Sequence, residues 1–253
     1  PLQSSNTKNS LPSLFQRIPF FYGWVILPVA SLGLFVSGPG QTYSFSVFIN
    51  PMIEETGWSR SMVSGLYTFG SLTASLGMVI IGRLLDKFGP RSMLVMVGIL
   101  FGLAALWMSQ VSSPIQLYLG FFSMRLLGQG SLSLIPETLV AIWFVRLRGR
   151  VMALNSIGGV LSQAVFPILI FSLISNLGWR STWVVIAVII WSILLAPAYL
   201  FVRRSPESIG LLPDGVTSSP NTNPLAPMSS RTEINFSLRE ALKTRSFYLL
   251  LLA

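Results

Sequence analysis

The sequence predicts an all-α membrane protein, a six-helix bundle, and three observations carry that expectation. Of its 253 residues, 52% are hydrophobic and only 10% charged, more apolar content than one soluble core of this length requires. The apolar residues fall in runs long enough to cross a hydrocarbon core of about 30 Å, at 20–49, 61–82, 92–111, 115–145, 151–174 and 181–202. The basic residues gather in alternate loops between those runs, as the positive-inside bias of membrane proteins demands.

Residues 1–18 are polar and read as an N-terminal tail, and the first apolar run is too long for a signal-peptide core of roughly 7 to 15 residues. Span one contains Gly38-Pro39-Gly40-Gln41-Thr42-Tyr43-Ser44, and Pro with Gly inside a span predicts a kink, with freed backbone facing protein or a cavity. Spans two and three are joined by Gly82-Arg83-Leu84-Leu85-Asp86-Lys87-Phe88-Gly89-Pro90-Arg91, a tight hairpin in which Gly89 ends one helix and Pro90 opens the next. Span four carries Arg125 and Glu137. Span five carries Ser156, Gly158, Gly159, Ser162, Gln163 and Pro167, small residues that predict close helix packing. The bundle is expected over 19–202, and 203–245 has the Ser-, Asn- and Pro-rich composition of a linker. A further apolar run begins at 246–253. The chain opens on Pro1 rather than Met and stops inside that run, so both ends are expected to be cut and a second six-helix half to be missing.

Placing the N-terminus and the 203–245 linker in the cytoplasm puts 14 of the 17 Lys and Arg residues on that side, with Arg60 and Arg180 outside and Arg125 within a span. The net charge of +9 is thereby accounted for without nucleic acid, which would need a basic solvated patch. There is no cysteine and no histidine, which removes thiolate chemistry, the commonest metal ligands and an imidazole proton relay. No nucleophile-base pair or ligand cluster is visible, so no enzyme, metal or cofactor is expected.

Three groups of residues carry the candidate chemistry. Asp86 lies in the last turn of a helix, where the macrodipole favours cations, so it is expected to need a positive partner such as Arg83 or Arg91, or another helix's N-terminus. Arg125 near mid-membrane costs roughly 2.5 to 3.5 kcal/mol on insertion scales. Gln129, four residues on, shares its face, and Gly128 and Gly130 permit close approach of a neighbouring helix. That face is expected to border a cavity, with Gln41, Tyr43 and Gln163 as further polar candidates. On an ideal helix Glu137 lies about 18 Å from Arg125 and about 120° around. It therefore cannot pair with Arg125 and is expected to meet Arg83, Arg91 or Arg146, as a structural bridge or as part of a gate.

The pattern Gly-x-x-x-Asp-x-x-Gly-x-Arg, matched here by Gly82, Asp86, Gly89 and Arg91, resembles the signature loop between spans two and three of the major facilitator superfamily. Arg125-Leu-Leu-Gly-Gln-Gly130 resembles the arginine motif of its span four, with Gln and Gly shifted from the commonest spacing. Pro90 replaces a common basic residue. Tyr43 to Phe48 with Pro51 and Gly57-Trp58-Ser59-Arg60, Trp143-Phe144 with Arg148-Gly149-Arg150, and Arg203-Arg204 with Pro206-Glu207, Gly210 and Pro213-Asp214-Gly215 resemble the monocarboxylate-porter and oxalate/formate-antiporter branches. The resemblance implies the N-terminal bundle of a two-bundle secondary transporter working by alternating access. It implies a gating role for Gly82, Arg83, Asp86, Gly89, Arg91 and Glu137 and a substrate contact by Arg125 with Gln129, while Gln41, Tyr43 and Gln163 are expected as substrate contacts from their polar side chains within spans one and five. The expected solute is a small organic anion, a monocarboxylate or dicarboxylate, moved with a proton or against a counter-anion across the plasma or inner membrane. The alternative from another class is a non-transporting truncated membrane module or assembly partner.

Overall fold

The structure, a computed structural model, describes residues 21–209, 211–215 and 243–244. The tail at 1–18, most of the linker and the run at 246–253 lie outside the described residues. The chain divides into two units, 1–217 and 218–253, and the bundle belongs to the first. Among the described residues of that unit there are helices and no strands: α1 (Gly23–Val36), α2 (Thr42–Thr56), α3 (Arg60–Ser109), α4 (Pro114–Met124), α5 (Leu132–Trp143), α6 (Arg148–Ile190) and α7 (Ala196–Phe201). Short 3₁₀ and π segments join several of them end to end.

These elements compose the six predicted spans. Span one is α1 and α2 joined by a 3₁₀ turn at Gly38–Gly40, with Gln41 extended (φ −86°, ψ 155°), so the predicted kink is present and the span runs on to Thr56. Span four is α4 and α5 joined by the π-helical segment Arg125–Ser131. α3 has 50 residues, which as one straight helix would measure about 75 Å, more than twice the hydrocarbon thickness. It is broken instead at Gly89 (φ 77°, ψ 164°), directly before Pro90, and so supplies spans two and three. α6 is broken in the same way at Gly178 (φ 78°, ψ 163°) and, continued by a π segment at Trp191–Leu195 and by α7, supplies spans five and six. Positive φ with ψ near 165° is a region open essentially only to glycine. Gly89 thus ends one helix and Pro90 opens the next, as the loop predicts, and the backbone geometry at Gly89 makes it a reversal point.

The core is apolar and aromatic. Phe48 and Trp183 stack at 4.2 Å between centroids, and Phe45 meets Phe121 edge-on at 5.2 Å. Small residues let backbones approach, as the span-five pattern predicts. Gly158 of α6 lies against the backbone of Ser31 in α1, and beside it the Ser31 hydroxyl donates to Asn155 Oδ1 at 3.2 Å.

At the end of the bundle that carries Gly178, one salt bridge ties three chain segments together. Arg180 Nε contacts Glu55 Oε1 at 2.7 Å, Trp179 Nε1 donates to the other oxygen of the same carboxylate, and Arg180 Nη1 donates to the Ser109 carbonyl at 3.0 Å. The ends of spans one and three and the start of span six are thus joined.

Candidate functional site

Span four builds the site because its backbone changes register there. The π-helical stretch Arg125–Ser131 inserts a wider turn, and Ser131 Oγ donates to the carbonyl of Leu126, five residues back, at 2.8 Å. Such wide turns recur at functional positions. Gly128 lets span one close against it: a Cβ on Gly40 would lie 2.8 Å from the Gly128 Cα. The 3₁₀ turn of span one therefore seats on the π segment and delivers Thr42, the first residue of α2, to Arg125.

Arg125 Nη1 donates to Thr42 Oγ1 at 3.2 Å, Tyr67 donates its hydroxyl to the same oxygen at 2.9 Å, and the guanidinium lies 5.2 Å from the centre of the Tyr67 ring. Thr42 Oγ1 accepts both bonds. Its own proton and the remaining N–H groups of Arg125 are the donors left to the site. A cavity of about 270 Å³ opens beside this cluster, lined by Arg125, Gln129 and Gly130 of span four and by Ser71, Ser75 and Met78 of span two. Ser71 and Ser75 donate to the carbonyls of Tyr67 and Leu72 at 2.8 and 2.7 Å, so they turn lone pairs toward the cavity. Gln129 Oε1 is enclosed with no hydrogen-bond partner. A second pocket of about 150 Å³, lined by Thr42, Tyr67, Phe45, Ile49, Val63 and Phe121, is almost wholly apolar.

Arg125 and Gln129 therefore share a cavity, as their spacing predicts. Gln41, Tyr43 and Gln163 do not line it. Gln41 donates to Ser37 Oγ at 3.3 Å. Because Gln41 is extended, α2 restarts with Thr42 toward Arg125, and Tyr43, one residue or about 100° farther round, bonds Ser162 of α6 at 2.9 Å. Ser162 faces span one, so Gln163 is turned off that contact and is exposed. Thr42, Tyr67, Ser71 and Ser75 are the site residues that the sequence reading missed. For three of them the signal was present in span two, where Tyr67, Ser71 and Ser75 recur every four residues along one face of an otherwise apolar helix.

The signature loop also differs from expectation. Asp86 is exposed and forms no ion pair with Arg83 or Arg91 among the described residues. Arg91 instead donates to the Tyr199 carbonyl at 2.9 Å and lies over the Tyr199 ring at 5.3 Å, because the reversal at Gly89 carries it across to the end of span six. Arg83 is exposed, and Lys87 lies 5.3 Å over the Phe88 ring. Gly82 is helical, with open space where a Cβ would stand. Glu137 is exposed and unpaired with Arg83, Arg91 or Arg146. The π segment between Arg125 and Glu137 also displaces the ideal-helix phase by which the two were placed.

Comparison with known proteins bears on this arrangement. Residues 30–253 match the family described as the Major Facilitator Superfamily. A protein of Escherichia coli (strain K12) named "Probable L-galactonate transporter" is 27% identical over 169 residues, 66% of this chain and 37% of that protein. Human monocarboxylate transporter 6 is 30% identical over 179 residues, 69% of this chain and 34% of its own, and human monocarboxylate transporter 7 is 24% identical over 197 residues, 74% and 37%. The chain thus spans little more than a third of the length of these relatives. With a match that runs from within span one to the last residue, the chain belongs to the major facilitator superfamily, an integral membrane family of transporters and not of enzymes.

Proposed function

We propose that the chain is the N-terminal bundle of a secondary active transporter that moves a small organic anion by alternating access, with Arg125 as the cationic contact for the solute. The carrying observation is the half-buried guanidinium of Arg125 at the wall of a polar cavity, bonded only to a neutral hydroxyl and an aromatic face. A charge inside a membrane span faces a cavity or a partner, and no carboxylate pairs with this one among the described residues. A bound carboxylate would be that partner, through charge-assisted bonds. The hydroxyl oxygens of Ser71 and Ser75 add acceptors for the solute's own donors or for water.

The names of two relatives, a galactonate and a monocarboxylate transporter, support an organic anion as the class. The count of basic residues supports a cytoplasmic placement of the end bearing Gly82–Arg91 and of the linker, in the plasma or inner membrane. In this reading Gly82, Arg83, Asp86, Gly89, Arg91 and Glu137 belong to the gate, and a second six-helix half completes the solute path. Glu137 is the carboxylate within a span available for a co-transported proton, and a counter-anion is the other means of coupling.

The test is uptake by proteoliposomes of the full-length protein against a panel of carboxylates, with and without a pH gradient. Arg125→Ala is expected to abolish uptake while membrane abundance stays unchanged. Uptake at the normal rate in that variant would remove Arg125 from the solute site.

A further inference from the structure

The chain does not leave the bundle where α7 ends. Val202 and Pro206 are buried, and Ile209 and Leu211 pack on the core. The amides of Ile209 and Leu211 both donate to the Pro206 carbonyl, at 3.1 and 3.0 Å, which curls this stretch back along the bundle. At its far end Asp214 takes a left-handed conformation (φ 58°, ψ 8°), which Asp tolerates better than most side chains. There its carboxylate accepts three consecutive backbone N–H groups from the turn between α5 and α6. Val145 and Arg146 donate to Oδ2 at 3.1 and 2.6 Å, and Leu147 to Oδ1 at 3.3 Å.

Those three amides form a ready anion seat. They stand at the entry to α6, whose N-cap Leu147 supplies no side-chain cap of its own. Arg146, Arg148 and Arg150 surround the turn, and none is in an ion pair among the described residues. An ionised carboxylate has lone pairs for about four donors and is favoured at the positive end of a helix. Asp214 therefore satisfies, from 67 to 69 residues away in sequence, donors that the turn cannot satisfy locally. Tyr22 donating to the Phe201 carbonyl at 2.8 Å and Arg91 donating to that of Tyr199 fasten the same stretch at its root.

We propose that Asp214 is a conformational anchor: it docks the first part of the linker onto the α5–α6 turn and moves the point where the linker departs from the end of α7 to the foot of α6. The consequence for transport rests on the two-bundle reading above. In that reading the linker joins two bundles whose ends at this side separate during each cycle. A tether reaches farther the more residues it has free, and anchoring at Asp214 instead of at Val202 withholds about 12 of them. The anchor thus resists opening of this end, and its release favours the state open on this side.

The experiment is amide hydrogen exchange on the full-length protein in nanodiscs, with cysteine labelling of positions near Arg91 in parallel. In Asp214→Ala, exchange at Val145, Arg146 and Leu147 is expected to rise about tenfold or more, the ratio for the loss of roughly 1.4 kcal/mol of bonding, with exchange in the spans unchanged. Asp214→Asn keeps an acceptor and loses the charge, and it is expected to fall between. Equal protection of the three amides in wild type and Asp214→Ala overturns the anchor. Labelling at the Arg91 end is expected to rise in Asp214→Ala. A Gly-Ser insertion after Gly215 should raise it as well, with the three amides still protected, since it lengthens the free tether and spares the anchor. Unchanged labelling in both variants overturns the tether. Absence of carboxylate uptake by the wild type would overturn the transport reading, while the amide exchange still decides the anchor.

Discussion

A guanidinium offers five N–H donors and can accept nothing, so one bond to Thr42 leaves most of the hydrogen-bonding capacity of Arg125 turned to the cavity. What holds the side chain in place is the ring of Tyr67 and the shared hydroxyl of Thr42. Tyr67→Leu removes both the cation–π contact and the bond to Thr42, a loss of roughly 1 kcal/mol in positioning. It is therefore expected to raise the KM for a transported carboxylate about fivefold, measured by initial uptake rates. Tyr67→Phe keeps the ring and should retain most of the affinity. An unchanged KM in Tyr67→Leu would show that the ring does not orient the guanidinium. Arg125 and Gln129 were legible in the sequence because a charge inside an apolar run is conspicuous. Thr42 was not, because a threonine in a span is ordinary until the chain is known to restart a helix there.

At the scale of the elements, breaks and not helices set the architecture. The kink of span one could be read from Gly38-Pro39-Gly40, since Pro and Gly have backbone consequences wherever they stand. The π segment of span four could not, because a switch from four-residue to five-residue hydrogen bonding needs no particular side chain. The surroundings of Asp86 follow from a break as well. Its neighbours in sequence are cations, but the reversal at Gly89 sends Arg91 to Tyr199 and leaves the carboxylate outward.

Within this loop Gly82 and Gly89 separate structural need from functional need. Gly82 is helical, and a Cβ there meets nothing within 4 Å. Gly82→Ala should accordingly leave thermal stability in detergent unchanged or raise it by up to roughly 1 kcal/mol, the helix-propensity gain of alanine. If the loop gates transport, the same variant loses uptake. Full uptake would mean that nothing closes against Gly82.

For the whole molecule, the two ends of the bundle are held by different means. The Arg180 end has the Glu55 bridge, whose side chains are 36% and 48% exposed, so in water it would be worth about 0.2 to 1 kcal/mol. The Arg91 end is held by bonds to carbonyls of span six, from Tyr22 and Arg91, and by the carboxylate of Asp214 on the α5–α6 turn. Asp86 faces outward from that second end, free to meet a group beyond the bundle. Asp86→Asn is expected to shift the balance of inward and outward states, read as opposite changes in labelling of cysteines placed at the two ends. Equal labelling in wild type and variant would remove Asp86 from the gate. Among the described residues no hydrogen bond or ion pair engages the Asp86 carboxylate, so a partner for it could not be read from its neighbours in the sequence.

Gly89 and Gly178 adopt one backbone geometry within about a degree of each other, yet their surroundings differ. A Cβ at Gly89 would press on the Arg204 side chain at 3.3 Å, whereas at Gly178 it would meet nothing within 4 Å. The molecule thus carries its own reference state for the reversal. The intrinsic dihedral penalty of an added methyl group is common to both sites, so it cancels when the two alanine variants are compared. The residual difference isolates how firmly the stretch after α7 presses on the signature loop.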